Sequence, residues 1–68
     1  MDKALLEYEM KKNGINVPQL CEILNISRSA FYRKCNGKSE FTLAEIKMIV
    51  ATLHLESPMA IFFADKVS

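Results

Sequence analysis

Arg28, Ser29, Tyr32 and Arg33 stand at i, i+1, i+4 and i+5, a spacing that puts four side chains on one face of a helix. Two guanidiniums, an aliphatic hydroxyl and a phenol make that face a set of hydrogen-bond donors carrying positive charge, chemistry that suits DNA. Ala30, Phe31 and Cys35 fall on the opposite face, where they would turn toward a core. Lys34, Lys38 and Ser39 follow closely. No acidic residue lies between Glu22 and Glu40, whereas Arg28, Arg33, Lys34 and Lys38 all do. The formal charge of the chain is only +1, so the cationic character is local to this segment. Taken alone, such charge is also what an ordinary solvated helix face carries.

Side chains of this kind need a helix with firm ends. Ser27 is a good N-cap for it, and Asn36-Gly37 is a natural stop, with Gly37 the left-handed residue. A second short helix precedes it. Asn16 with Gln19 makes a capping box, and Pro18 falls in the first turn, where a missing N–H costs nothing. Leu20, Ile23 and Leu24 then share an inward face. Asn25 tolerates the left-handed conformation that ends a helix, and Ile26 can pack inward at the turn. Residues 16–38 therefore read as two short helices joined by a tight turn. Neither can bury a full apolar stripe alone, so they must brace each other and rest on further helices.

The rest of the chain supplies those helices. Residues 2–13 read as a first helix with Leu6 and Met10 as an i, i+4 apolar pair, helped by Leu5 and ended by Asn13-Gly14. Ile15 and Val17 should pack inward. Phe41 reads as a core plug, and Thr42 with Glu45 as a second capping box. Ile46, Ile49, Val50 and Leu53 continue that fourth helix to about His54, which would favour the helix dipole. Leu55 would tuck in at the connection. Ser57 as N-cap and Pro58 at the first position start a last helix. Met59, Ile61, Phe62 and Phe63 make it apolar nearly all round, so Phe63 with Met59 or Ile61 could form a dimer patch. Met48 and Met59 otherwise read as packing residues. Asp65, Lys66, Val67 and Ser68 read as a frayed tail. The expected fold is all-α, a compact five-helix bundle with a helix-turn-helix as its second and third elements, one domain spanning residues 1–68.

Composition excludes several classes. No apolar run approaches the roughly 20 residues that cross a bilayer. The start MDKALLEYEMKK lacks the basic opening and apolar block of a signal peptide, so the protein is expected to be cytoplasmic. Cys21 and Cys35 both fall on inward faces and read as small buried hydrophobes, neither a disulfide nor a metal pair. His54 and the scattered carboxylates show no metal-ligand spacing. The chain has no phosphate-cradling glycine loop and no nucleophile with base and orienting partner, so it does not read as an enzyme. No cofactor and no small-molecule ligand are expected.

With these residues in place, the sequence resembles the Cro/repressor-type helix-turn-helix family of lambda-like phage regulators over nearly its whole length. The run Ile26-Ser27-Arg28-Ser29-Ala30-Phe31-Tyr32-Arg33-Lys34 followed by Asn36-Gly37-Lys38 is similar to the recognition helix and loop of small regulators from phages of Gram-positive bacteria. Ile61-Phe62-Phe63-Ala64 is similar to their last helix. The resemblance implies that Arg28, Ser29 and Arg33 read base edges in the major groove, with Tyr32 beside them. An arginine fork on guanine is worth about 1–3 kcal/mol of discrimination. It implies that Lys38 and the backbone N–H groups around it clamp phosphate, with Lys34 a further phosphate contact. It also turns the start of the second helix toward the DNA backbone. Three departures stand out. Val17 replaces a frequent glutamine, which leaves phosphate anchoring to the backbone, Asn16 or Gln19. Asn25 replaces a frequent turn glycine, and Met10 and Cys35 stand where some relatives carry a buried Arg–Glu pair.

The function so implied is a sequence-specific regulator of transcription, a Cro-like repressor of phage or prophage origin that binds operator double-stranded DNA as a homodimer. DNA-facing candidates are Asn16, Gln19, Ser27, Arg28, Ser29, Tyr32, Arg33, Lys34, Lys38 and Ser39. Two other readings use the same fold: an antitoxin or adaptor that binds protein, and an excisionase-like accessory that binds DNA in recombination.

Overall fold

Side-chain caps fix where the first four helices begin. The computed structural model describes residues 1–64. The expected frayed tail, residues 65–68, lies outside the described residues. In chain order the helices are α1 (Lys3–Lys12), α2 (Val17–Leu24), α3 (Arg28–Cys35), α4 (Leu43–Leu53) and α5 (Pro58–Phe62). The fold is all-α, with five helices among the described residues. Asp2 caps α1 by accepting from the Leu5 N–H at 3.0 Å. Both expected capping boxes form, Asn16 with Gln19 and Thr42 with Glu45. Ser27 accepts from the Ala30 N–H at 3.1 Å and starts α3. Ser57 precedes α5, but its side chain makes no capping bond, so the expected serine cap is not realised. Proline at the first position starts that single short turn-and-a-half instead.

Four helices end in one way. Gly14, Asn25, Gly37 and His54 take left-handed backbone conformations just past α1, α2, α3 and α4. The next residue then donates its N–H to the carbonyl five positions back: Ile15 to Met10, Ile26 to Cys21, Lys38 to Arg33 and Leu55 to Val50, at 2.9–3.1 Å. This motif satisfies carbonyls that a helix end leaves without partners. Ile15, Ile26 and Leu55 then fold back onto the core. Lys38 stays exposed.

Every helix contributes to one core. Leu6 and Met10 enter from α1, Leu20, Cys21 and Leu24 from α2, Phe31 and Cys35 from α3, Ile49 and Leu53 from α4, and Ile61 from α5. Fully burying a side chain of this size is worth about 1.5–3 kcal/mol. Phe41 sits against this cluster, as its role of plug requires. Ile23, expected inward, is 37% exposed. At about 100° per residue, the stripe made by Leu20, Cys21 and Leu24 leaves it at the margin. Met48 and Met59, expected as packing residues, are also exposed. Ile61 is buried in the core and so drops out of any surface patch on α5.

Polar ties and rings complete the assembly. The Asp2 N–H donates to the Ile61 carbonyl at 2.7 Å, joining the start of α1 to α5. The Asn13 side-chain amide donates to the carbonyls of Glu9 at 2.8 Å and Leu53 at 3.0 Å, joining the ends of α1 and α4. Tyr32, Phe31, Phe41 and Phe62 meet edge to face in series, with centroids 5.6–6.0 Å apart. The radius of gyration, 10.9 Å, matches the value of about 11 Å for a compact domain of this length, so no described helix stands apart. Among the described residues, no helix is long and apolar enough to cross a membrane.

Candidate nucleic-acid interface

The three residues Asn25, Ile26 and Ser27 separate α2 from α3, too few to let the helices part. Ile26 anchors this turn on the core, and Ser27 restarts the helix at once. Phe31 and Cys35 are buried from the inner face of α3. The outer face is then fixed by helix geometry. Arg28, Ser29, Tyr32 and Arg33 are all exposed on it. Ser27, Lys38 and Ser39 are exposed at its two ends, and Asn16 and Gln19 at the start of α2. Nine of the ten sequence candidates are thus on the surface.

Tyr32 does more than lie beside the arginines. Its ring leans edge-on against Phe31, 5.8 Å between centroids, which limits its swing. The Lys3 ammonium stands 5.8 Å from the same ring centroid, within cation–π range. Lys3 opens α1, and its position adds a cation to the α3 surface that sequence reasoning missed. No local signal could have found it, because 29 positions separate it from Tyr32.

Lys34 is the tenth candidate and requires a correction. Its ammonium donates to both carboxylate oxygens of Glu45, at 2.6 and 2.7 Å, and stands 5.7 Å from the Phe41 ring centroid. The two side chains are only 15% and 12% exposed. Lys34 therefore joins α3 to α4 and offers no free cation to a phosphate. Burial alone would raise the Glu45 pKa. The hydrogen bonds from Lys34 and from the Thr42 N–H, with the Lys34 charge, outweigh it and hold the carboxyl below its ordinary value.

Two expected phosphate sites also change. The N–H groups of Gly37, Lys38 and Ser39 point back to carbonyls of Lys34 and Arg33, closing the end of α3. In that loop the Lys38 ammonium and the Ser39 hydroxyl are what remain for an anion. At the start of α2, the box engages the N–H groups of Asn16 and Gln19, and Pro18 has none. The Val17 N–H and the side-chain amide nitrogens of Asn16 and Gln19 are the donors the box leaves over.

Burial pushes Cys35 up to about 11 and also raises Cys21, so both stay protonated at neutral pH. Among the described residues, no three His, Cys, Asp or Glu side chains gather where a metal ion could be held. A cleft of about 300 Å³ opens beside the interface, lined by Phe41, Leu43, Ile46, Phe62 and Phe63 among others.

The molecule is thus a small helical domain with one helix presenting an exposed cationic face. The BetR domain family model matches residues 5–67, and the chain belongs to that family. No curated protein and no solved structure matches the chain.

Proposed function

We propose that this protein is a sequence-specific double-stranded DNA-binding regulator of transcription, Cro-like and of phage or prophage type, acting in the cytoplasm. It inserts α3 into the major groove. The observation that carries this reading is the division of α3: Phe31 and Cys35 are buried, while Arg28, Ser29, Tyr32 and Arg33 share an exposed face. Arginine forks suit guanine edges, the serine hydroxyl suits a base or phosphate, and the tyrosine ring suits a thymine methyl. Lys3, Lys38 and Ser39 flank that face and suit phosphates, which position without specifying. One domain spans a half-site, so specific binding uses a homodimer on a near-palindrome with half-sites roughly 34 Å apart.

Selection of bound duplexes from a random pool at physiological salt tests the proposal. A recovered motif with two-fold symmetry and one-turn spacing is expected, with affinity falling steeply as salt rises. Recovery of no motif would overturn it.

A further inference from the structure

Alone among the helices that end in the left-handed motif, α3 has no apolar residue folding its end back onto the core. Cys35, the last residue of α3, is buried in the core, and beside it a polar tie is added. Lys34 lies in the last turn of α3, next to Arg33, and reaches the first turn of α4. Both of its bonds to Glu45 are short, and the Phe41 ring flanks the ammonium. Glu45 is itself held: the Thr42 N–H donates to its Oε1 at 2.8 Å, and its own N–H donates to the Thr42 hydroxyl. The carboxylate therefore cannot follow Lys34 if α3 shifts.

A second observation singles out the charge. Two capping boxes form among the described residues, and that of α2 works with a neutral amide, Gln19. A box does not call for a carboxylate. The negative charge at Glu45 strengthens the bond from the Thr42 N–H as well as holding Lys34, and only the second of these joins α3 to α4.

We infer that the Lys34–Glu45 pair is a strut that sets the attitude of α3 on the bundle, making both residues positioning residues for the side chains α3 presents to DNA. The second half of this inference rests on the DNA-binding reading above. The strut itself does not.

Glu45→Gln keeps the box and removes the charge. In that variant the amides of α3 should exchange with solvent several-fold faster relative to those of α2, with unchanged helix content. Affinity for the duplex recovered by selection should fall roughly tenfold to a hundredfold, the span that misplacing one base contact covers. Lys34→Arg, which can still fork onto the carboxylate, should retain both properties. In Lys34→Met the affinity should fall equally, while the slope of log Kd against log salt stays that of the unaltered protein, because Lys34 touches no phosphate. Unchanged α3 exchange in Glu45→Gln would overturn the strut. So would a salt slope lowered by about 0.9 in Lys34→Met, the loss of one phosphate contact. If the unaltered protein binds no selected duplex, the DNA reading falls and the exchange comparison alone decides the strut.

Discussion

The ends of α1, α2 and α4 differ from the end of α3 in one side chain on an otherwise shared backbone motif. Ile15, Ile26 and Leu55 follow the left-handed residue and fold onto the core, whereas Lys38 at the matching place stands in solvent. The backbone bonds are alike, so the motif does not require the apolar contact. After α3 that position carries a cation beside the exposed face, and the Lys34–Glu45 pair joins buried Cys35 in holding that end. Where the molecule presents chemistry, the residue after the left-handed position leaves the core and a polar tie adds to the apolar contacts that stay.

The largest effect should come from the presenting side of that contrast. Replacing Arg28 and Arg33 together by Ala should cost about 2–6 kcal/mol of affinity for the selected duplex, counting 1–3 kcal/mol for each fork on a base. Thermal unfolding should be nearly unchanged, since both residues are exposed. Fluorescence anisotropy with a labelled duplex measures the first and circular dichroism the second. Affinity left intact would remove α3 from the role of reader.

Substitution at the four ends should give smaller effects that separate by site. Ile26→Ala and Leu55→Ala should each cost about 1–2 kcal/mol in urea unfolding, below the 2–5 of fully buried sites. Lys38→Ala should cost less than about 0.5 kcal/mol while weakening duplex binding. Equal destabilisation at all three positions would erase the distinction between anchored and presenting ends.

Acid should give the smallest effect, read at Glu45, whose carboxylate serves both the tie to Lys34 and the cap of α4. The folded Glu45 carboxyl titrates below its ordinary value of 4.5, so the native state takes up this proton later than the unfolded chain does. The stabilisation is therefore complete above the unfolded value and is lost as pH falls through the folded one. Between about pH 6 and about pH 3, the urea midpoint of the unaltered protein should fall further than that of Glu45→Gln. Parallel curves would mean that the Glu45 charge contributes no pH-dependent stability.

Local chemistry made much of this legible in the sequence. Two capping boxes, the serine before α3, the Asn-Gly stops and the 3.6-residue spacing of apolar positions place the helices, because each acts within four residues. The exposed arginines and the buried Phe31 follow from the same period. Contacts between distant segments were out of reach. The partner of Lys34 lies eleven positions on, and a charge counted along the chain looks the same whether free or paired. Lys3 reaches Tyr32 only through the packed bundle. The loop N–H groups were misjudged for another reason: Gly37 signals a left-handed residue equally well for a phosphate clamp and for a closed helix end. Ile23 escaped the stripe because Cys21, small but apolar, shifted the buried face by part of a turn.

Tyr32 also has a spectroscopic consequence. The chain contains two tyrosines and no tryptophan. Tyr8 is 60% exposed on α1, so Tyr8→Phe would leave a single emitting phenol, on the face it shares with the arginines and beneath a lysine. Its emission would then report, without any attached dye, what the outer surface of α3 meets.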